Sequence, residues 1–192
     1  SFSAPIVYAV WSQKNNIAMR GLAVREYIRM SIDARELRDA FGRFATGVTI
    51  ITVSSGGEPN GLTANSFSSV SLEPPLVLWS LARNADCFDA FESEEHFAIN
   101  ILNRTQEAIS TRFATKDVDK WAGIDYRTGE TGSPLLVGAI ATFECKVHAR
   151  HDGGDHVIYV GEVLHVQADE DAEPLGFYRG RYCDIRAADK AI

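Results

Sequence analysis

Apolar side chains recur first at helical and then at strand spacing along the chain, and the order predicts a helix followed by a largely β protein. Leu37, Phe41 and Phe44 repeat at helical intervals behind an N-terminal capping position at Asp33. We expect this helix to end at Gly47, because glycine adopts the backbone conformation that closes many helices. β-Branched and apolar runs then predict strands over residues 48–53, 61–64, 76–79 and 97–102.

Two short helices are expected between the later strands. Asn84 or Asp86 can cap the first, and Asn103 with Gln106 can cap the second, which runs to Ala114. Neither helix follows the regular strand–helix–strand alternation of a parallel sheet.

Residues 139–150 alternate in polarity and predict a half-exposed strand. It pairs across a glycine turn with a second strand at residues 157–166. The face predicted to be buried holds Phe143, Cys145 and Val147, and the face predicted to be exposed holds Glu144, Lys146 and His148. About six strands with few helices indicate a mainly β domain, an antiparallel barrel that is closed or nearly closed.

Composition removes several function classes. The 192 residues carry a net charge of −7, which argues against nucleic acid or an anionic membrane as the main partner. No apolar stretch approaches the roughly 20 residues of a membrane span. Cys87, Cys145 and Cys183 lie far apart without a C-x-x-C pair, so we expect buried or idle thiols. The first residues do not resemble a secretory signal, and we expect a cytoplasmic protein.

Familiar catalytic motifs are missing from the sequence. It contains no G-x-G-x-x-G, no P-loop and no G-x-S-x-G elbow. His148 and His151 are three apart on a predicted strand, which places them on opposite faces, so we expect no metal site.

Three polar segments remain as candidates for chemistry. The polar loop (residues 63–69) offers hydroxyls and an amide to a planar, heteroatom-rich ligand. The serine–arginine segment (residues 80–83) combines a hydroxyl, a guanidinium and a helix start that could meet a phosphate. The hairpin tip (residues 153–156) places an acid and an imidazole on a tight turn. An ordinary Ser/Thr turn, a capped helix and a solvated hairpin are the alternative interpretations of these segments.

Four sequence blocks in register resemble the flavin reductase-like, FMN-binding split-barrel family. The similarity covers residues 33–184 and is strongest to reductase components of two-component flavin-dependent monooxygenases. We therefore assign residues 1–30 to an N-terminal extension and residues 31–192 to the flavin reductase-like domain. The blocks are FGRFATGVT at residues 41–49, GLTANSFSSVSLEPPLVL at residues 61–78, GGDH with GEV at residues 153–163, and YRGRY at residues 178–182.

The resemblance implies a homodimer of six-stranded antiparallel split barrels with flavin near the subunit interface. It also implies FMN or FAD as the flavin and NADH or NADPH as the co-substrate. His156 is the implied catalytic residue, and no metal is implied. The implied cofactor-binding residues are Thr46, Thr63, Ala64, Asn65, Ser66, Ser69, Ser80, Leu81, Ala82, Arg83, Gly154, Asp155, Arg181 and Tyr182.

The activity implied by the resemblance is hydride transfer from NAD(P)H to flavin, with the reduced flavin passed to a partner monooxygenase. Hydride transfer needs no general base, so His156 is expected to position the nicotinamide or to protonate the reduced flavin, unless it only pairs with Asp155 at the turn. A pyridoxamine-phosphate-oxidase-like enzyme and a non-enzymatic flavin-binding redox module are the alternatives. The sequence leaves open the choice between FMN and FAD, the choice between NADH and NADPH, and the identity of the partner.

Overall fold

The computed structural model describes residues 32–169 and 171–186 and shows a mainly β protein with antiparallel sheets, as predicted. The N-terminal extension therefore lies outside the described residues. The helices of the described part are α1 (Ala34–Phe41), α2 (Phe88–Ser93) and α3 (Glu107–Ala114). Its strands are β1 (Thr46–Gly47), β2 (Thr49–Ser55), β3 (Glu58–Ala64), β4 (Ser68–Leu72), β5 (Pro75–Ala82), β6 (His96–Ile101), β7 (Tyr126–Thr128), β8 (Pro134–Leu136), β9 (Ala141–Gly153), β10 (His156–Ala168), β11 (Leu175–Tyr178) and β12 (Arg181–Asp184).

Helix α1 belongs to a first compact unit that ends at Arg43, and the strands belong to a second unit that starts at Phe44. The Asp33 side chain accepts a hydrogen bond from the backbone N–H of Arg35, as a helix N-cap does. The predicted C-terminus was wrong, because the helix ends at Phe41 and Gly47 lies in β1. None of the helices in the described part of the chain combines the length and apolarity of a membrane crossing.

The main sheet of the described residues has seven strands in the order β3-β2-β6-β9-β10-β5-β4. A three-stranded sheet (β1-β11-β12) and a hairpin (β7-β8) accompany it. Strands β9 and β10 form the predicted hairpin and run longer than predicted, with only Gly154 and Asp155 between them. Gly154 has φ +78°, a backbone conformation that strongly favours glycine.

The core lies on the inner face of the main sheet, where a cluster of aromatic rings is almost fully buried. Trp79 stacks on Tyr159 at 4.8 Å between ring centroids, and it meets Phe91 and Phe97 edge-on at 5.1 and 5.7 Å. These arrangements are the ones that aromatic quadrupoles favour. Residues at alternate positions of β5 point into this cluster and leave the intervening ones on the opposite face.

Two further predictions from polarity were wrong. Helix α2 is capped by Cys87, without a side-chain hydrogen bond, and neither Asn84 nor Asp86 takes that place. Glu144, predicted on the exposed face of β9, is only 4% exposed. Its carboxylate accepts hydrogen bonds from the N–H and the hydroxyl of Thr131, at 2.7 and 2.8 Å, so the loop before β8 covers it.

The thiols of Cys87 and Cys145 are buried, as predicted, and that of Cys183 is partly exposed. Burial raises the pKa of Cys87 and raises that of Cys145 to about 12, which keeps both thiols protonated near neutral pH.

Candidate active site

The structure brings two of the predicted polar segments together at one end of the main sheet. Strands β5 and β10 are antiparallel neighbours, and their register pairs Ala82 with His156 and Ser80 with Ile158. The serine–arginine segment therefore lies beside the hairpin tip. Leu81 is an exception within the segment, because its side chain is fully buried in the core and only its backbone can meet a ligand.

Arg83 joins the two segments through both its backbone and its side chain. Its N–H donates to the carbonyl of Asp155 at 3.0 Å, and its Nε donates to the carbonyl of Gly154 at 3.1 Å. Its Nη2 lies 2.7 Å from a carboxylate oxygen of Asp152, a residue that the motif comparison did not select. The guanidinium is thus already held by the hairpin.

The polar loop reaches the same region through Ser66. The Ser66 hydroxyl accepts a hydrogen bond from the N–H of Ser80 at 2.9 Å. Earlier in the loop, the carbonyl of Ala64 accepts a hydrogen bond from Thr49 at 2.7 Å. Hydrogen bonds thus link the three predicted segments, and Ser69 is exposed on β4 opposite Val77 of β5.

A small cavity of about 220 Å³ lies beside the polar loop, next to Asn65 and Phe67 on either side of Ser66. The Thr46 hydroxyl in its wall is buried and makes no hydrogen bond within the described part of the chain. An unpartnered buried hydroxyl is costly, and a bound heteroatom would satisfy it. The cavity falls below the roughly 300–1,000 Å³ of most ligand pockets, so it suits part of a ring system. Its walls are formed by Thr46, Gly47, Thr49, Asn65, Phe67 and Ile101.

Tyr182 is tied to α3 rather than to the hairpin tip. Its hydroxyl donates to Ser110 Oγ at 2.9 Å and accepts from Thr111 at 3.3 Å. The Ser110 carbonyl also accepts from the Thr63 hydroxyl at 2.6 Å, so Ser110 connects Thr63 with Tyr182. The neighbouring Arg181 is exposed. Ser110 gave no sequence signal, because a lone serine in a helix has no characteristic pattern.

His156 forms a hydrogen-bonded pair with its neighbour Asp155. Its Nδ1 lies 2.7 Å from a carboxylate oxygen of Asp155. The hydrogen bond from His156, together with the imidazole charge, lowers the pKa of Asp155 below its ordinary value. An ionised carboxylate only accepts, so Nδ1 carries the shared proton of this pair.

Lys116 is a second cation that sequence spacing did not reveal. It follows α3, and its Nζ donates to the carbonyl of Asn84 at 2.9 Å, next to Arg83. The Nζ also lies 3.9 Å from a carboxylate oxygen of Asp86. More than thirty residues separate Lys116 from Asn84 in sequence, so only the tertiary fold could bring the two together. Among the described residues, no group of three or more His, Cys, Asp or Glu side chains is arranged to hold a metal ion.

Comparison with known proteins gives a consistent set of relatives. A protein of Rhizobium meliloti (strain 1021) named "Probable flavin reductase" is 45% identical over 161 residues, covering 83% of this chain and 51% of that protein. This chain thus spans about half the length of that relative. The reductase subunit HsaB of a flavin-dependent monooxygenase from Rhodococcus jostii (strain RHA1) is 41% identical over 162 residues, 84% of this chain and 83% of HsaB.

A solved structure extends the similarity to three dimensions. The NADH:FAD oxidoreductase SgcE6 of Streptomyces globisporus C-1027, in complex with NAD and FAD fragments, superimposes with a TM-score of 0.77 at 42% identity. The match covers 83% of this chain and 96% of SgcE6. The family model described as a flavin reductase like domain matches residues 41–186. As the four sequence blocks predicted, the chain belongs to the flavin reductase-like domain family.

Proposed function

We propose that this protein is an NAD(P)H:flavin oxidoreductase that reduces FMN or FAD and supplies the reduced flavin to a partner monooxygenase. The observation that carries the proposal is the joining of the polar loop, the serine–arginine segment and the hairpin tip through Ser66, Ser80 and Arg83. Kinship with HsaB, a reductase subunit, and with SgcE6, an NADH:FAD oxidoreductase, supports the same activity.

The residues present fit a flavin. Thr46 offers an unpartnered hydroxyl and Asn65 an amide at a cavity that can take one edge of the ring system. Arg83 and Lys116 provide positive charge beside the serine–arginine segment for a phosphate group. When bound, the flavin supplies the two-electron acceptor for the hydride of the reduced nicotinamide.

The chain's own contribution is to bind and orient the two reactants. His156 is the first residue of β10, and its Nδ1 is hydrogen-bonded to Asp155. This contact fixes the orientation of the imidazole, which positions the nicotinamide. Fixing the two rings relative to each other replaces a bimolecular encounter with an oriented one.

A homodimer of split barrels belongs to the same proposal. Large apolar side chains are exposed on β4 and on the second half of β10, both of which lie near the Pro75 end of β5. An apolar patch of this kind is typical of a protein–protein contact. Leu72, at 95% exposure, is the extreme case. Sedimentation should show a dimer, and Leu72→Lys should shift it toward monomer. Val118→Lys, an exposed position on the loop after α3, is the control and should leave the dimer intact.

The activity is tested by mixing purified protein with NADH or NADPH and with FMN or FAD. Catalytic loss of the nicotinamide absorbance supports the reductase. Flavin binding without nicotinamide consumption would instead favour a binding module and refute the enzyme.

The role of His156 is tested separately with a matched pair of variants. His156→Ala should lower kcat/KM for NADH about tenfold and leave the flavin Kd nearly unchanged. His151→Ala, an exposed histidine on the same hairpin, is the control and should change neither. Equal loss of flavin binding and NADH use in His156→Ala would contradict a role specific to the nicotinamide.

A further inference from the structure

The Arg83 guanidinium, which could bind a phosphate, is already paired with the carboxylate of Asp152. The guanidinium uses Nε and Nη2 on the hairpin, with Gly154 and Asp152 as acceptors. The ion pair lies on the surface, because the Arg83 side chain is 46% exposed and that of Asp152 is 82% exposed. A surface pair of this kind contributes little and exchanges readily.

A phosphate at the serine–arginine segment would meet the same guanidinium. Arginine binds phosphate best when two parallel N–H groups of its planar fork are free. Asp152 occupies one of the two Nη groups. Its negative charge would stand close to a phosphate bound at the other N–H groups of the guanidinium. Like charges at such a distance repel. Asp152 and a phosphate therefore compete for Arg83.

We propose that Asp152 is a competitor for Arg83 that weakens the grip of the protein on phosphorylated flavin. The inference rests on the proposed function, since it assumes that flavin phosphate binds at Arg83. A reductase that hands its product to another enzyme needs such weak binding, because a tightly held flavin is not released. Asp152 weakens the binding of flavin without changing the residues that contact its ring system.

The inference predicts an effect that depends on the phosphate. Asp152→Asn removes the negative charge that holds the guanidinium and keeps the size of the side chain, so the protein should bind FMN about two- to fivefold more tightly. Riboflavin has the same ring and no phosphate, and its Kd should stay unchanged. Because most affinity differences lie in the dissociation rate, FMN should also leave the variant more slowly.

The experiment measures Kd for FMN and riboflavin by flavin fluorescence in four proteins and one control variant. The four proteins are the wild type, Asp152→Asn, Arg83→Gln and the double variant. Arg83→Gln should reduce the preference for FMN over riboflavin. Asp152→Asn should have a smaller effect in that background than in the wild type, because its competition for Arg83 is gone and only its repulsion of the phosphate remains. Asp171→Asn is the charge-matched control: it lies beyond the far end of β10 and should leave both constants unchanged.

Each outcome is decisive. An unchanged or smaller preference for FMN in Asp152→Asn overturns the competition, as does an equal gain in Asp171→Asn, which would indicate a general charge effect. A full effect of Asp152→Asn in the Arg83→Gln background also overturns it. Failure of the wild type to bind either flavin or to oxidise NADH would refute the proposed function, and that result is separate from the ratio on which the competition is judged.

Discussion

The interior and the edge of the same two strands, β5 and β10, are built from opposite kinds of contact. Inside the sheet, Trp79 and Tyr159 are fully buried and stacked at 4.8 Å. A few residues further along, Arg83 and His156 hold exposed partners on the hairpin. Buried aromatic packing is rigid and contributes strongly to stability, whereas exposed ion pairs contribute little and exchange partners. Within a single strand pair, the residues that stabilise the fold are thus separate from the residues of the candidate site.

The largest effect is expected in the buried interior of the β5–β10 pair. Trp79→Ala removes the ring that contacts three other aromatic side chains, and it should lower the free energy of unfolding by about 3–5 kcal/mol. Urea denaturation followed by circular dichroism measures the loss. Arg83→Gln, four residues after Trp79 and just beyond β5, is the control. It should lower the free energy of unfolding by less than about 1 kcal/mol. Similar losses in the two variants would contradict the division between interior and edge.

A smaller effect is expected where β10 approaches the core most closely. A Cβ on Gly161 would lie 2.5 Å from Cζ of Phe97 and 3.1 Å from Cβ of Cys145, both buried. Neither neighbour can move aside freely, so Gly161→Ala should cost about 1–3 kcal/mol through overpacking. Thermal and urea unfolding measure it.

The control for this prediction is a glycine with open surroundings. A Cβ on Gly47 would meet no heavy atom of the described residues within 4 Å, and the Gly47 backbone does not require positive φ. Gly47→Ala should leave the free energy of unfolding unchanged or slightly higher. A loss as large as that of Gly161→Ala would show that strand propensity, and not contact with Phe97, causes the effect.

Most of the hairpin was predictable from sequence because its signals are local. Glycine at a two-residue turn and alternating β-branched residues depend on neighbours within a few positions, and β9 and β10 pair as expected. Glu144 was misplaced because alternation assumes a regular strand with one solvated face. Here the register shifts between Val163 and His165, and the loop containing Thr131 covers the carboxylate.

The candidate site divides in the same way. Residues within one motif, such as Asp155 and His156, could be selected from the sequence alone. Lys116 and Ser110 come from another part of the chain, and their contacts with Asn84 and Thr63 have no local sequence signal. Asp152 lies next to the motif and was still missed, because its role depends on Arg83 from a different strand.

Glu144 provides an intermediate effect with a defined pH dependence. Burial alone would raise the pKa of Glu144, but the hydrogen bonds from Thr131 and the backbone, together with the charge of His165, outweigh it and lower the pKa below the ordinary 4.5. A carboxyl with a depressed pKa in the folded state stabilises the fold above its ordinary pKa, and the contribution is lost as the pH falls through the folded-state pKa.

Glu144→Gln should therefore cost about 1–2 kcal/mol at neutral pH, since a buried amide replaces an ionised acceptor. The difference between variant and wild type should narrow as the pH falls below about 4.5. Urea denaturation at a series of pH values measures this difference. A gap that stays constant across the series would show that the charge of Glu144 does not contribute.

The smallest effect is expected at the exposed hairpin tip. Asp155→Asn removes the charged acceptor that orients His156, while Asp155 itself is 93% exposed and adds little to folding. We expect kcat/KM for NADH to fall about two- to fivefold, less than in His156→Ala, with the free energy of unfolding nearly unchanged. In the double variant the loss should equal that of His156→Ala alone, because Asp155 acts through the imidazole. Additive losses would mean that the carboxylate meets the nicotinamide or the flavin directly, and the orienting contact at the hairpin tip would then be incidental to the reaction.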